Sequence, residues 1–322
     1  MQNLPPSDEP IRIGISTCLL GERVRYDGGH KHDPFLTNTL GRYFEWVPSC
    51  PEVAIGLGVP RPTIRLQAGE DGVRLVMPDR GDDLTARMQA YSHERIRQLE
   101  REDLRGYVLK KQSPSCGMER VKVYQGRGMP RRDGVGLFAA ALLEHFPNLP
   151  IEEEGRLHDP NLRENWIERV FAYHRLRTLF AGRFALGRLV DFHTRHKFML
   201  MAHSPSAYQQ LGRMVAAAKS MPRDQLRAQY ESQFMAALRM IATTRKNTNV
   251  LQHILGFFKK DLDRPAREEL IEKIDDYHRG YVPLVVPLTL INHYVRLLDV
   301  AYLRDQIYLN PHPKELALRN HV

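Results

Sequence analysis

Strand-like and helix-like patterns alternate along the first half of the chain. Ile11–Ser16 places apolar residues at every second position, as a half-buried strand requires, and Phe44–Val47 repeats the pattern. The apolar run Gly106–Leu109 predicts a short buried strand, and Val121–Tyr124 a fourth. Ile64–Met77, with turn signals at Gly69 and Gly72, predicts a hairpin. Helices intervene. Asp33 as N-cap and Pro34 as first helical residue predict one through about Tyr43. Leu84, Met88, Tyr91, Ile96 and Leu99 form an approximate apolar stripe between Asp82 and Asp103, and Val135–Phe146 is strongly apolar. Gly126–Arg132 is expected to be a mobile basic loop. Strands alternating with helices predict an α/β domain with a mainly parallel, Rossmann-like sheet.

The pattern changes after Pro147. Residues 147–160 are polar, are bounded by prolines and carry Glu152, Glu153 and Glu154, so a linker is expected over 151–160. Beyond it helical spacing takes over. Leu162, Trp166, Val170 and Phe171 make one stripe, and further helices are predicted over Ser206–Ala218, Arg223–Ile241, Asn249–Leu262, Pro265–Arg279 and Leu284–Leu309. The expected organisation is a disordered tail (1–10), an α/β domain (11–150), the linker and an all-α helical-bundle domain (161–322). A chain of 322 residues suits two domains better than one core.

Composition narrows the function classes. Hydrophobic content of 42% supports globular packing and excludes a disordered chain. No apolar run approaches the ~20 residues that cross a bilayer. The N-terminus lacks the basic start and apolar core of a signal peptide, so a cytoplasmic protein without membrane contact is expected. Three cysteines, an odd number, argue against a disulfide framework. Charge is unevenly placed. Residues 1–156 hold 22 Lys+Arg against 22 Asp+Glu, and residues 157–322 hold 25 against 16, so the whole net charge of +9 lies in the second half. A solvated basic face is one reading; a surface for a polyanion, above all nucleic acid, is the other.

The densest chemistry follows the strand at Gly106–Leu109, where Lys110, Lys111, Ser113, Ser115 and Cys116 crowd one turn. Cys18 and Cys50 also lie within a few residues after a predicted strand. In a parallel sheet such ends share one edge, where ligands bind, so thiols distant in sequence can meet there. Three buried small hydrophobes are the plain alternative, although Pro, Gly and polar groups surround each cysteine. Converging thiolates suit zinc, with His30 or His32 as fourth ligand, or a [4Fe–4S] cluster with one iron left open. Spacing alone does not decide between them, and the His-x-Glu and Cys-x-x-Cys pattern of zinc nucleobase deaminases is absent.

Glu52, Ser113 and Ser115 are the candidate proton-handling groups, with turn chemistry as the ordinary role of serines. Lys110 and Lys111 would offset thiolate charge or hold a phosphate. In the second half, His193, His196 and His203 read as packing or nucleic-acid contacts rather than metal ligands. Thr243–Asn249 reads as a phosphate- or base-contacting segment, or as a plain exposed loop. Phe257–Lys260 reads as core followed by a basic helix end.

Ser16-Thr17-Cys18-Leu19-Leu20-Gly21 with Arg25-Tyr26-Asp27-Gly28, then Cys50-Pro51-Glu52, then Leu109-Lys110 with Ser113-Pro114-Ser115-Cys116-Gly117, resemble the thiouracil desulfidase family over about residues 10–150. The second half resembles a helical domain often fused to such enzymes, and the fused form resembles bacterial desulfidases of 4-thiouridine in tRNA. The resemblance implies a [4Fe–4S] cluster held by Cys18, Cys50 and Cys116, with a fourth iron free to bind the thiocarbonyl sulfur. It implies Glu52 as acid/base group and a catalytic serine in the Ser113–Ser115 block, Ser113 before Ser115. Asp27, Arg61, Lys110 and Lys111 are then expected around the substrate. tRNA is the expected partner, with a small thiolated nucleobase or nucleotide as the alternative. Arg131, Arg132, Arg245, Lys246, Lys259 and Lys260 are the expected RNA contacts.

Overall fold

The computed structural model describes residues 10–70, 72–126, 128–182 and 184–321, which fall into two compact units, 10–159 and 160–321. Apart from Pro10, the expected tail lies outside the described residues.

The first unit runs β1 (Ile11–Ser16), β2 (Phe44–Ser49), α1 (Pro51–Ala54), β3 (Arg65–Gly69), β4 (Gly72–Met77), β5 (Asp82–Asp83), α2 (Thr85–Arg101), β6 (Gly106–Leu109), β7 (Val121–Tyr124), β8 (Arg131–Gly134), α3 (Leu137–His145) and β9 (Ile151–Glu153). Four strands make an all-parallel sheet in the order β2-β1-β6-β9. Ile13 and Ile15 of β1 and Tyr107, Val108 and Leu109 of β6 are fully buried, because central strands of a parallel sheet are covered on both faces. Phe138 of α3 packs against Tyr107 of β6 and Tyr91 of α2, with ring centroids 6.2 and 6.1 Å apart. This unit is the expected α/β domain.

Four local expectations need correction. Val121–Tyr124 does not join the parallel sheet: it belongs to a second, mixed sheet of order β5-β4-β3-β7-β8, which also contains the expected hairpin as β3 and β4. Arg131 and Arg132, expected in a mobile loop, start β8 and pair antiparallel with β7. The helix expected after Asp33 is irregular, a π turn over Phe35–Thr39 followed by a 3-10 turn over Leu40–Arg42. Asp33 still caps it, accepting from the Phe35 and Leu36 N–H groups at 3.0 and 3.4 Å, while Thr37, Thr39 and Gly41 are poor formers of a regular helix.

The fourth correction concerns the linker. Ile151–Glu153 is the outer strand of the parallel sheet, and Glu152, Glu153 and Glu154 are buried. Burial of three acids in a row is tolerable only because each has a partner. Glu152 pairs with Arg156 at 2.7 Å, Glu153 accepts from the Met118 N–H at 2.9 Å, and Glu154 takes Lys110.

The second unit is mostly helical, and no strand occurs among its described residues. Its helices are α4 (Pro160–Ala181), α5 (Leu186–Arg195), α6 (Lys197–His203), α7 (Pro205–Ala216), α8 (Arg223–Arg239), α9 (Thr244–Leu255), α10 (Arg264–His278), α11 (Val285–Leu297) and α12 (Ala301–Arg304). Trp166, Phe198, Tyr230, Phe234 and Phe258 are fully buried. The long helix expected over Leu284–Leu309 breaks at Asp299, whose φ of +51° leaves the helical region. Among the described residues no helix is long and apolar enough to cross a membrane.

Candidate active site

Three neighbouring strand ends build the site. The sheet order places β2 and β6 on opposite sides of β1, so the chain reverses its direction of winding there, and the carboxyl ends at such a switch point form a natural crevice. A cavity of about 630 Å³ opens at that position. Cys18 lies in the single 3-10 turn that follows β1, Cys50 caps α1 directly after β2, and Cys116 lies in the turn after β6. All three line the cavity.

Burial pushes the Cys18 thiol up to about 11, raises Cys50, and raises Cys116 well above the ordinary range. The thiols also act on one another: a charge on Cys50 raises Cys18, and charges on Cys50 and Cys18 raise Cys116. Lys110 opposes this at Cys18, and the Ser16 hydroxyl, donating to sulfur, opposes it at Cys116. The three groups are therefore neutral thiols as they stand, and ionised together they would need positive charge between them, of the kind an iron–sulfur centre supplies. Three soft sulfur donors fit that group. Among the described residues no three Cys, His, Asp or Glu side chains converge as closely as a single metal ion needs. Of the two histidines expected as a zinc ligand, His32 lines the cavity and is bonded to Thr37 at 2.9 Å, and His30 does not line it.

Glu52, in the first turn of α1, stands on the same wall. Its Oε2 receives Arg61 Nη2 at 2.6 Å and its Oε1 receives the Ser115 hydroxyl at 2.8 Å; the Ser113 hydroxyl stands 3.4 Å from Oε1. The serines differ in setting. Ser113 lines the cavity, and its oxygen also accepts the N–H groups of Ser115 and Cys116 at 3.2 and 3.1 Å, which shapes the turn. Ser115 is fully buried and does not line the cavity. Arg61 was expected at the substrate. It lines the same cavity, and its buried guanidinium is held by the carbonyls of Val24 and Gly58 at 3.0 and 2.9 Å and clamps Glu52.

The Cys116 turn is fastened at both ends by the acids of β9 and the residue after it. Glu154 takes Lys110 Nζ at 2.5 Å and the Lys111 N–H at 2.7 Å, while Glu153 holds the Met118 N–H. The start of α3 closes the turn from behind: the N–H groups of Gly136, Leu137 and Ala139 donate to the carbonyls of Gly117, Pro114 and Ser115. Gly136 admits no side chain, because a Cβ would lie 2.5 Å from the Ser115 carbonyl. Ser16, Gly136, Glu153 and Glu154 are site residues that the sequence reading did not select. Ser16 directly precedes Thr17-Cys18 at the end of an alternating strand, a usable signal. The acids gave none, since acidic runs ordinarily read as solvated.

The remaining expected residues divide between the cavity and other places. Asp27 turns back on its own loop, accepting from the Gly29 N–H at 3.0 Å and facing Arg25; that N–H lowers its pKa, and it does not line the cavity. Lys110 and Lys111 line the cavity, Lys110 bound to Glu154. Arg131 pairs with Asp133 at 3.3 Å. In the helical unit, Thr243–Asn249 is no exposed loop: it opens α9, and Asn247 is buried between the hydroxyls of Tyr277 and Tyr308. Lys246 caps the His203 carbonyl at 2.7 Å. Arg245, Lys259 and Lys260 are exposed. His193, His196 and His203 are buried and bonded to Tyr230, the Phe192 carbonyl and the Met240 carbonyl respectively, as packing residues are.

Comparison with known proteins follows the division into units. Residues 13–154 match the sequence model of the family described as 2-thiouracil desulfurase, and residues 197–313 match that of a family described as a protein of unknown function, DUF1722. The chain is 37% identical over 158 residues to the "Uncharacterized protein YbgA" of Escherichia coli (strain K12), covering 49% of this chain and 94% of that protein. It is 27% identical over 136 residues to the "Uncharacterized protein YbbK" of Bacillus subtilis (strain 168), covering 40% of this chain and 88% of that protein. A solved structure described as the [4Fe-4S]-dependent thiouracil desulfidase TudS is 33% identical, with 46% of this chain and 93% of that chain covered at a TM-score of 0.39.

Proposed function

The chain belongs to the 2-thiouracil desulfurase family through residues 13–154 and carries a DUF1722 domain at residues 197–313, and on that premise we propose that it is an iron–sulfur-dependent desulfidase of a thiolated uracil base. The observation that supports this reading is the meeting of Cys18, Cys50 and Cys116 with Glu52 and Ser113 on the walls of one cavity.

Cys18, Cys50 and Cys116 would hold a [4Fe–4S] group, which when bound supplies an open iron, a soft Lewis acid that favours a thiocarbonyl over an ordinary carbonyl. The chain's own residues then handle water and protons. Glu52 takes one proton from the water whose oxygen replaces the sulfur, and the other leaves with sulfur as hydrosulfide. The C=S bond is exchanged for C=O with no net electron transfer. Arg61 and Ser115 fix the carboxylate of Glu52 so that Oε1 keeps one orientation. Ser113, on the cavity wall, donates a hydrogen bond to the bound base and steadies it, with no further proton transferred.

For the substrate we favour 4-thiouridine in tRNA. Its support is the net charge of +9 in residues 157–322, which a free-base enzyme does not need and an RNA enzyme uses against phosphates.

Iron and sulfide analysis of anaerobically prepared protein, paired with turnover, tests the reading. Equal iron and sulfide with broad absorption near ~400 nm, and loss of thiobase absorbance from thiolated tRNA, are the expected results. A protein with intact cluster that binds thiolated tRNA and leaves it unchanged, together with free thiouracil and 4-thiouridine monophosphate, would overturn it. Turnover of the free compounds alone would move the substrate from tRNA to the small molecule.

A further inference from the structure

Val47, Gly14 and Tyr107 stand side by side across β2, β1 and β6, so they share one face of the parallel sheet. Two residues further along, Ser16 and Ser49 end β1 and β2 on that same face, directly opposite each other. A glycine is costly at the centre of a strand, where it loses chain entropy and offers no side chain to pack. Tyr107 accounts for it. The ring lies across Gly14, and a Cβ there would overlap ring carbons Cδ2 and Cε2. Over this bare stretch of backbone the phenol passes from β6 towards the end of β2, with Phe138 of α3 against it.

The hydroxyl delivered this way has no partner. Tyr107 is fully buried, and no atom among the described residues takes part in a hydrogen bond with its oxygen. Burial drives the phenol far above its ordinary pKa, which keeps it a donor. Ser49, whose oxygen receives Arg95 Nε at 2.9 Å, stands close enough to lower that pKa but outside hydrogen-bond geometry. Charge on Cys116 acts next, so the hydroxyl lies within electrostatic reach of that sulfur. Phenylalanine would fill the same space without stranding a polar group, which is expensive in a dry interior. The neighbouring hydroxyl on this face shows which acceptor is at hand. Ser16 accepts the Lys110 N–H at 3.0 Å and donates its own proton to the Cys116 sulfur. Two costs, a glycine in a central strand and an unpaired phenol, thus serve one placement behind the cysteines.

We propose that the Tyr107 hydroxyl, laid across Gly14, donates a hydrogen bond to a sulfur of the iron–sulfur group that Cys18, Cys50 and Cys116 hold. The proposal rests on the iron–sulfur reading of the cavity, and adds to the three cysteines a residue that reaches the group from behind the sheet edge. A hydrogen bond to sulfur draws electron density away from the adjoining iron. It stabilises the reduced, more negative form of the group, slows loss of iron and strengthens the open iron as a Lewis acid.

Tyr107→Phe in the full-length, anaerobically prepared holoenzyme tests this without turnover. The variant keeps the ring on Gly14 and removes only the oxygen. It is expected to carry the iron and sulfide of the wild type, with a more negative reduction midpoint in spectroelectrochemical titration. Iron should pass to a ferrous chelator about fivefold faster or more, as the loss of one hydrogen bond implies. Resonance Raman spectroscopy supplies the signature that a packing role would not move. The iron–sulfur stretching bands of the wild type should shift on transfer to D₂O, and part of that shift should vanish in Tyr107→Phe. An unchanged midpoint together with an unchanged D₂O response overturns the proposal, even where iron is lost faster, since packing alone explains that loss. Wild-type protein that takes up no iron would remove the iron–sulfur reading and the proposal with it; loaded proteins that behave alike remove the proposal alone.

Discussion

Ser115, fully buried, donates its hydroxyl to Glu52 Oε1 at 2.8 Å, whereas Ser113, on the cavity wall, stands 3.4 Å from the same oxygen. The geometry separates two residues that sequence treats as equals: one is buried against the carboxylate, and the other lines the cavity. Ser115→Ala should therefore lower kcat about fivefold with KM little changed, through a lost hydrogen bond worth roughly 1 kcal/mol. Ser113→Ala should cost more, in the range of about 10²–10³-fold expected for a hydrogen-bond donor that meets charge developing on the substrate. Steady-state kinetics of both variants decides. A larger loss in Ser115→Ala would reverse the assignment.

Replacement of the cysteines and of Glu52 should separate cluster retention from turnover. Each of Cys18→Ala, Cys50→Ala and Cys116→Ala removes a sulfur from the cavity wall, so iron content should collapse in all three. Glu52→Gln keeps the shape of the side chain and removes the base. It should retain iron and lose about 10²–10⁴-fold in turnover. Full iron in any cysteine variant excludes that residue as a ligand, and wild-type kcat in Glu52→Gln excludes the carboxylate from proton transfer.

The contrast between these residues and their supports shows what the sequence carries. The cysteines were legible because each follows a strand, and parallel strand ends share an edge whatever the strand order. The supports were not. Arg131–Gly134 forms β8 without any apolar alternation, because its N-terminal half is exposed and only Gly134 is buried. Val121–Tyr124 alternates equally well for either sheet, and nothing local says which neighbour it takes. Glu152–Glu154 looked like a solvated linker because hydropathy cannot register that Arg156, the Met118 N–H and Lys110 meet these acids inside the fold.

That last pairing is itself testable. The Glu154–Lys110 pair is shielded, with side chains 9% and 13% exposed, and it anchors the turn that carries Cys116. Breaking a buried pair by removing one charge typically costs about 3–5 kcal/mol. Glu154→Gln also turns an acceptor of the Lys111 N–H into a group that can present a donor. The expected outcome is a lower unfolding midpoint and faster amide exchange across 110–117, with weaker retention of iron. Unchanged exchange in that segment would show that Glu153, Ser113 and α3 hold the turn without the Glu154–Lys110 pair.

Acid should weaken the helical unit through its buried histidines. Burial lowers His193 from 6.5 to about 4 and His196 to about 3, so both stay neutral in the fold at pH values where the unfolded chain takes up a proton. The unfolded state then binds more protons, and stability falls as pH falls. The contribution is fully present above about pH 6.5 and is lost progressively between there and the folded-state values. At pH 5 each histidine should have withdrawn about 2 kcal/mol, at roughly 1.4 kcal/mol per pH unit. Urea unfolding at pH 7 and pH 5 measures the loss. His193→Phe keeps a ring against Tyr208, which stacks on His193 at 5.6 Å, and removes one titrating group. It should narrow the difference between the two pH values, since other titrating groups contribute equally to both proteins. An unchanged difference would locate the acid sensitivity outside His193.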